Sequence, residues 1–163
     1  MAGGQARRFG SDKALAPWRG KPLIAHVQQA LAPQCAQLVV CGRTWADLPS
    51  LDDRPTSGLG PLGGICAALQ HARLLGLPAV LSAPCDMPDL PADLAMRLAP
   101  GPAVVQDQWL VGYWPVELAE VLAQYLESQA KTAVRAFAGR IGARPIAFPR
   151  LRNINTPGDL TEE

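Results

Sequence analysis

The sequence predicts an α/β protein with a mostly parallel sheet and helices on both faces. Short apolar runs alternate with segments of helical period, and loops rich in glycine or proline follow the apparent strands. The composition, 48% hydrophobic against 18% charged over 163 residues, is that of a chain with a packed core. That length is read as one domain spanning residues 1–163.

Taken in order, Leu23, Ile24, Val27 and Leu31 share one helical face ahead of Pro33. Leu38-Val39-Val40 reads as a short buried strand. Ile65, Leu69, Ala72 and Leu75 mark a second helix, closed by Gly76 and Pro78. Ala79-Val80-Leu81 is the next strand and runs into a proline-punctuated loop from Pro84 to Pro91. Leu94 and Leu98 suggest a short helix, Ala103-Val104-Val105 and Trp109 to Tyr113 two more strands. Leu118, Val121, Leu122, Tyr125 and Leu126 form the clearest amphipathic helix. A helix from Ala133 to Phe137 and a strand from Pro145 to Phe148 complete the pattern.

Charge and cysteine content narrow the function. A net charge of +1 does not suit bulk nucleic-acid binding, and no apolar run approaches the roughly 20 residues of a membrane span. A soluble cytoplasmic protein is expected. Basic residues cluster instead at Arg7, Arg8, Lys13, Arg19 and Lys21, and again from Lys131 to Arg152, a distribution that suits small anionic ligands. The cysteines at 35, 41, 66 and 85 include no Cys-x-x-Cys pair, which disfavours a zinc site and leaves reduced thiols as the expectation.

Four loops carry chemistry. In the opening Met1-Ala2-Gly3-Gly4, followed by Arg7-Arg8-Phe9-Gly10 and Asp12-Lys13, bare amides stand beside fixed cations, as a polyphosphate requires. It has neither P-loop spacing nor that of a dinucleotide-binding turn. Gly58 to Gly64 holds four glycines and opens a helix, with Asp53 just upstream; a planar base could approach so bare a backbone. Pro84-Cys85-Asp86-Met87-Pro88 fixes a carboxylate at a strand's carboxyl end, where Mg²⁺ riding on substrate phosphates finds a hard oxygen ligand. Asp86 as a simple cap is the competing reading, for which Asp89 and Asp93 are better placed. Asn153-Ile154-Asn155-Thr156-Pro157 offers two amides suited to a polar heterocycle, or a plain helix start.

These loops, in this order and over almost the whole chain, resemble the molybdenum cofactor guanylyltransferases. The residues that carry the likeness are Ala2-Gly3-Gly4, Arg8-Phe9-Gly10, Asp12-Lys13, Gly60-Pro61-Leu62-Gly63-Gly64, Cys85-Asp86-Met87-Pro88 and Asn153-Ile154-Asn155-Thr156-Pro157. The resemblance implies a Rossmann-like three-layer sandwich and a Mg²⁺-dependent transfer of GMP from GTP to molybdopterin, with release of pyrophosphate. It places Ala2, Gly3, Gly4, Gly60 and Asp53 at the nucleotide, Arg8 and Lys13 at its phosphates, and Asp86 at the metal. Asn153 and Asn155 fall on the pterin side, with Lys131 and Arg135 as candidates for its phosphate. Molybdenum-insertion proteins and target-enzyme chaperones are the implied partners. Rival readings are a cytidylyltransferase on the same pterin, a transferase on a related phosphate, and a non-catalytic carrier.

The sequence departs from the family pattern in three places. The family's opening loop follows a buried strand, whereas this sequence opens directly at Met1, so a sheet lacking its first strand is expected. Cys41-Gly42 stands where an asparagine often follows the second strand. Gln108-Trp109 replaces a His-Pro pair ahead of Leu110-Val111-Gly112-Tyr113-Trp114.

Overall fold

A computed structural model of the chain describes residues 12–128, 133–149 and 151–160. A 3₁₀ turn at Lys13–Leu15 leads into a small hairpin of β1 (Pro17–Trp18) and β2 (Lys21–Pro22), then α1 (Leu23–Leu31). β3 (Val40–Cys41) pairs in parallel with β4 (Ser50–Leu51). Next come α2 (Gly60–Leu74), β5 (Ala79–Ser82), α3 (Leu94–Leu98), β6 (Ala103–Val105), β7 (Gln108–Pro115), α4 (Leu118–Ser128), α5 (Val134–Arg140) and β8 (Arg144–Ile146). A 3₁₀ turn at Pro157–Leu160 closes the described chain.

The main sheet has the order β5-β7-β6-β8. Its pairs β5–β7 and β6–β7 are antiparallel and only β6–β8 is parallel, so the expected mostly parallel sheet is corrected to a small mixed one. The reason is local. Only Gln106 and Asp107 separate β6 from β7, and Asp107 takes a left-handed φ of 63°. A turn that tight returns the chain beside itself, whereas a parallel neighbour needs a crossover of a dozen residues or more.

Helices nonetheless cover both faces, as alternation along β6 requires. Val104 points into a cluster with Leu62, Ile65 and Leu69 of α2, Leu122 of α4 and Phe137 of α5. Its neighbours Ala103 and Val105 point the other way, toward Val27 and Leu31 of α1 and Leu94 and Leu98 of α3. Trp114, fully buried in β7, donates from Nε1 to Ser82 Oγ at 2.8 Å, and that hydroxyl donates to the Leu110 carbonyl at 2.8 Å. The network ties β5 to β7 and gives the buried indole N–H and the buried hydroxyl their partners.

Gln34 fastens α1 to α3. Its Nε2 donates to the Ala30 and Pro91 carbonyls, while its Oε1 accepts from Ala95 N. Asp93 stands at the N-cap of α3 but makes no side-chain cap bond. No helix among the described residues is long and apolar enough to cross a membrane.

Candidate active site

The loops beyond β3 and β5 and the segment 151–156 meet around the first described residues. Asp12 caps the opening 3₁₀ turn by accepting from Ala14 N at 3.2 Å, and Ala14 packs against Ile24, Val40 and Cys85. That packing seats Lys13 over the loop that follows β5. Its Nζ donates to Asp86 Oδ2 at 2.8 Å and to Asn155 Oδ1 at 3.1 Å. Residues 73 and 142 positions away from Lys13 are thereby drawn onto one ammonium.

The backbone holds this convergence in place. Ile154 is fully buried and its N–H donates to the Asp86 carbonyl at 2.9 Å, so the two loops are stitched beneath the side chains. Asp159 then accepts from Asn155 N at 2.7 Å and Thr156 N at 2.8 Å, which orients Asn155. Those two N–H groups also hold the Asp159 carboxyl below the usual aspartate range. The turn expected at Thr156-Pro157 forms, but the capping carboxylate comes from downstream.

Two oxygen atoms in the site are buried without a hydrogen-bond partner: Asp86 Oδ1 and Asn153 Oδ1. A desolvated carboxylate oxygen left open is costly unless something positive completes it. A hard divalent cation fits that oxygen, although no group of three or more His, Cys, Asp or Glu side chains among the described residues would form a full cage.

Comparison with known proteins identifies the family. The model of the MobA-like NTP transferase domain family matches residues 1–147. A molybdenum cofactor guanylyltransferase of Rhodobacter capsulatus is 39% identical over 98% of this chain and 90% of its own length. One from Acidiphilium cryptum is 35% identical over 98% and 89%. The chain belongs to the MobA-like nucleotidyltransferases. Its fold is similar to that of molybdopterin-guanine dinucleotide biosynthesis protein A from Archaeoglobus fulgidus, with a TM-score of 0.73, 24% identity and coverage of 98% of this chain and 92% of that one. A cytidylyltransferase of Thermus thermophilus, acting in its name on 2-C-methyl-D-erythritol 4-phosphate, shares the fold at a TM-score of 0.62 and 15% identity, over 91% and 90% of the two chains.

Within this MobA-like frame the remaining candidates separate. Ala2, Gly3, Gly4, Arg8 and Lys131 lie outside the described residues. Asp53 stands ahead of α2, where a Cβ on Gly63 would fall 2.8 Å from both its Cβ and its Cγ. The glycine therefore makes room for that carboxylate. Gly60 begins α2 with a φ of 63°, and Leu59 at the N-cap supplies no side-chain bond, so the helix amides are left to other partners. Arg135 lies over the Trp109 ring at 5.2 Å, and no hydrogen bond or ion pair among the described residues ties it to Lys13, Asp86 or Asn155.

One site residue escapes the sequence pattern. Arg43, two residues past β3, donates from Nη1 to Asp12 Oδ1 at 2.7 Å and from Nη2 to Oδ2, while its Nε is buried without a partner. This fork holds the Asp12 carboxyl below its ordinary value and raises the guanidinium further. The sequence hint is a lone cation just beyond a strand's carboxyl end. Cys85, next to Asp86, is half-buried, and desolvation raises its thiol pKa.

Proposed function

We propose that the chain transfers GMP from GTP to the terminal phosphate of molybdopterin and releases pyrophosphate. The observation that supports this most directly is the meeting of Lys13, Asp86 and Asn155, drawn from three separated loops onto a single charged point. Family membership supplies the reaction class, and the 39% and 35% identical relatives carry the guanylyltransferase name.

The chemistry asks little covalent work of the protein. A terminal phosphate oxygen of the pterin attacks the α-phosphorus of GTP, the new P–O bond forms, and the bond to the bridging β-phosphate oxygen breaks. The attacking oxygen is already anionic, so no general base is required. Catalysis is then positioning and charge neutralisation. The Lys13 ammonium has three donors and gives two of them to Asp86 and Asn155, which leaves one for a phosphate oxygen. Asp86 and Asn155 hold that ammonium in place before substrate arrives. Arg43 holds Asp12 and through it the turn that carries Lys13. Arg8 is proposed as a further cation at the phosphates.

Asp86, through its open Oδ1, would hold Mg²⁺. When bound, the metal supplies Lewis-acid neutralisation of charge on the phosphates. The α2 N-terminus at Gly60, the opening amides of Ala2, Gly3 and Gly4, and Asp53 make the proposed nucleotide side. Asn153 and Asn155, with Lys131 and Arg135, make the proposed pterin side. Insertion proteins and chaperones of molybdenum enzymes are the proposed recipients of the product.

The test is pyrophosphate release with Mg²⁺ and molybdopterin, offering GTP, CTP, ATP and UTP in parallel. Release with GTP alone is expected. Release with CTP would preserve the mechanism and overturn the guanine assignment. Binding without release would favour a carrier.

A further inference from the structure

Trp109 stands where an irregular strand reaches the rim of the site. Ser82, the last residue of β5, pairs with Gly112, so Gln108 to Val111 of β7 run on past the carboxyl end of β5, the end that the Asp86 loop leaves. There the ladder with β6 breaks. Val104 pairs with Gly112 but Val105 pairs with Gln108, and Trp109, Leu110 and Val111 bulge between them. Val111 keeps the side of the sheet that α1 and α3 cover. Trp109 and Leu110, though consecutive, both pack toward the cluster formed by α2, α4 and α5. Regular alternation would send one of that pair the other way. The bulge thus turns the indole off its regular face, as bulges beside active sites re-aim side chains. Ser82 Oγ, donating to the Leu110 carbonyl at 2.8 Å, pins it there.

Trp109 packs on that cluster yet is only half-buried. The Arg135 guanidinium lies over the ring, 5.2 Å from its centroid. Arg135 is exposed in the first turn of α5 and makes no hydrogen bond or ion pair among the described residues. A planar, delocalised cation resting on an indole, and on little else, occupies the place of a flat heterocycle and is readily displaced from it. No acid occurs from Ala133 to Arg152, so the displaced guanidinium finds no carboxylate on its own element.

We propose that Trp109 is the stacking platform for the pterin ring of the acceptor, a role that rests on the transfer to a pterin proposed above. As the ring arrives, Arg135 leaves the indole and turns to the acceptor's phosphate. Position assigns the platform to the acceptor and not to the nucleotide base. β7 takes one edge of β5, whereas residues 38–41 and 79–83 line one cavity on the other side, with β4 beyond as the partner of β3. Asp53 follows two residues after β4. The proposed base-side carboxylate and the indole therefore flank the Asp86 loop from opposite sides. Trp109 occupies the proline place of the His-Pro pair, and a proline ring has no π-face, so the platform is particular to a chain with an aromatic residue here.

Two titrations of the 163-residue chain test this. In one, unsubstituted pterin, which carries no phosphate, is followed by quenching of its own fluorescence. In the other, steady-state pyrophosphate release with Mg²⁺ gives KM for molybdopterin and for GTP. Trp109→Leu fills space without a ring. It should weaken pterin binding and raise KM for molybdopterin by about tenfold or more, with KM for GTP within about twofold, and Trp109→Phe should restore most of both losses. Arg135→Ala should act with opposite signs. Pterin should bind about two- to fivefold tighter to the uncovered ring, while KM for molybdopterin rises several-fold for want of the phosphate's partner. Thermal melting checks that each variant is folded.

Equal behaviour of W109L and W109F would make Trp109 a packing residue and end the platform assignment. A larger change in KM for GTP than for molybdopterin would give the indole to the base instead. Weaker pterin binding by R135A, or an unchanged KM for molybdopterin, would refute the exchange. Pterin binding is read without turnover, so the two readings fail separately. A chain that quenches pterin but releases no pyrophosphate keeps the platform and loses the transferase reading. One that releases pyrophosphate with molybdopterin but never quenches pterin keeps the reaction and loses the platform, and a chain that does neither loses both.

Discussion

Replacing Asp86 with asparagine separates structural from chemical roles at the proposed metal position. The substitution preserves shape and keeps an acceptor for Lys13, but removes one negative charge. Lys13 Nζ lies 2.8 Å from Asp86 Oδ2, and the two side chains are 18% and 25% exposed. At an effective dielectric constant near 20 the gross Coulomb attraction at that distance is about 6 kcal/mol. Most of it is offset by desolvation, and in the variant the ammonium keeps Asn155 Oδ1 at 3.1 Å and a neutral acceptor at 86. The net cost to folding is therefore about 1–2 kcal/mol, or roughly 2–8 °C in Tm for a chain of this size.

Turnover should respond far more strongly. Without the charge on Oδ1 the proposed cation loses its one protein carboxylate, and a loss of about 4 kcal/mol in transition-state stabilisation corresponds to roughly a thousandfold in kcat. The assay is steady-state pyrophosphate release at saturating GTP and Mg²⁺, beside thermal melting and titration of Mg²⁺ into the GTP-bound protein. A kcat within about threefold of the parent would remove Asp86 from the metal position. A Tm loss beyond about 10 °C would show that the carboxylate is chiefly structural.

Four further outcomes follow from the same contacts. Lys13→Ala should lower kcat by more than it raises KM for GTP, because its remaining donor is the one proposed for a phosphate oxygen; equal losses would make it a ground-state contact. Gly63→Ala places a Cβ 2.8 Å from Asp53 and 2.9 Å from Leu59 Cβ, so it should raise KM for GTP with a small change in kcat, as steady-state kinetics would show. Ser82→Ala strands the fully buried Trp114 N–H and should cost about 1–3 kcal/mol, seen as a drop of several degrees in Tm. The Asp12 carboxyl is held below its ordinary value of 3.8 by the Arg43 fork. Its pKa is thus lower in the folded state than in the unfolded one, so the contribution is full above about pH 4 and vanishes as pH falls through the depressed value. With Asp12 44% exposed, that contribution is below about 1 kcal/mol, and Arg43→Met should flatten the stability profile between about pH 4 and pH 2.

The site was more legible in the sequence than the sheet, and the difference is physical. Asp86 is recognisable because two prolines and a preceding apolar run fix where its carboxylate stands, whatever the direction of neighbouring strands. Lys13 is recognisable because phosphate chemistry needs a cation beside bare amides. Strand direction has no such mark: a three-residue apolar run such as Ala103-Val104-Val105 has the same composition in a parallel or antiparallel pair. The reversal at Gln106–Asp107 depends on one left-handed aspartate in a two-residue turn, a weak cue beside the long loops around it. β1, β2 and β4, at two residues each, are too short to show any period. Arg43 stays hidden for a further reason, since its partner Asp12 lies 31 positions away and the two loops meet through the cluster that Ala14 shares with Ile24 and Val40. The two asparagines make the same point at closer range. Spaced to face one way on an extended segment, they part company: Ile154 is tied to the Asp86 carbonyl and Asp159 captures the next two N–H groups. Asn155 is thereby turned onto Lys13, while the side-chain oxygen of Asn153 is left buried and open. A motif names the chemistry a site needs; which of its members reaches the reacting atoms is decided by hydrogen bonds to residues outside it.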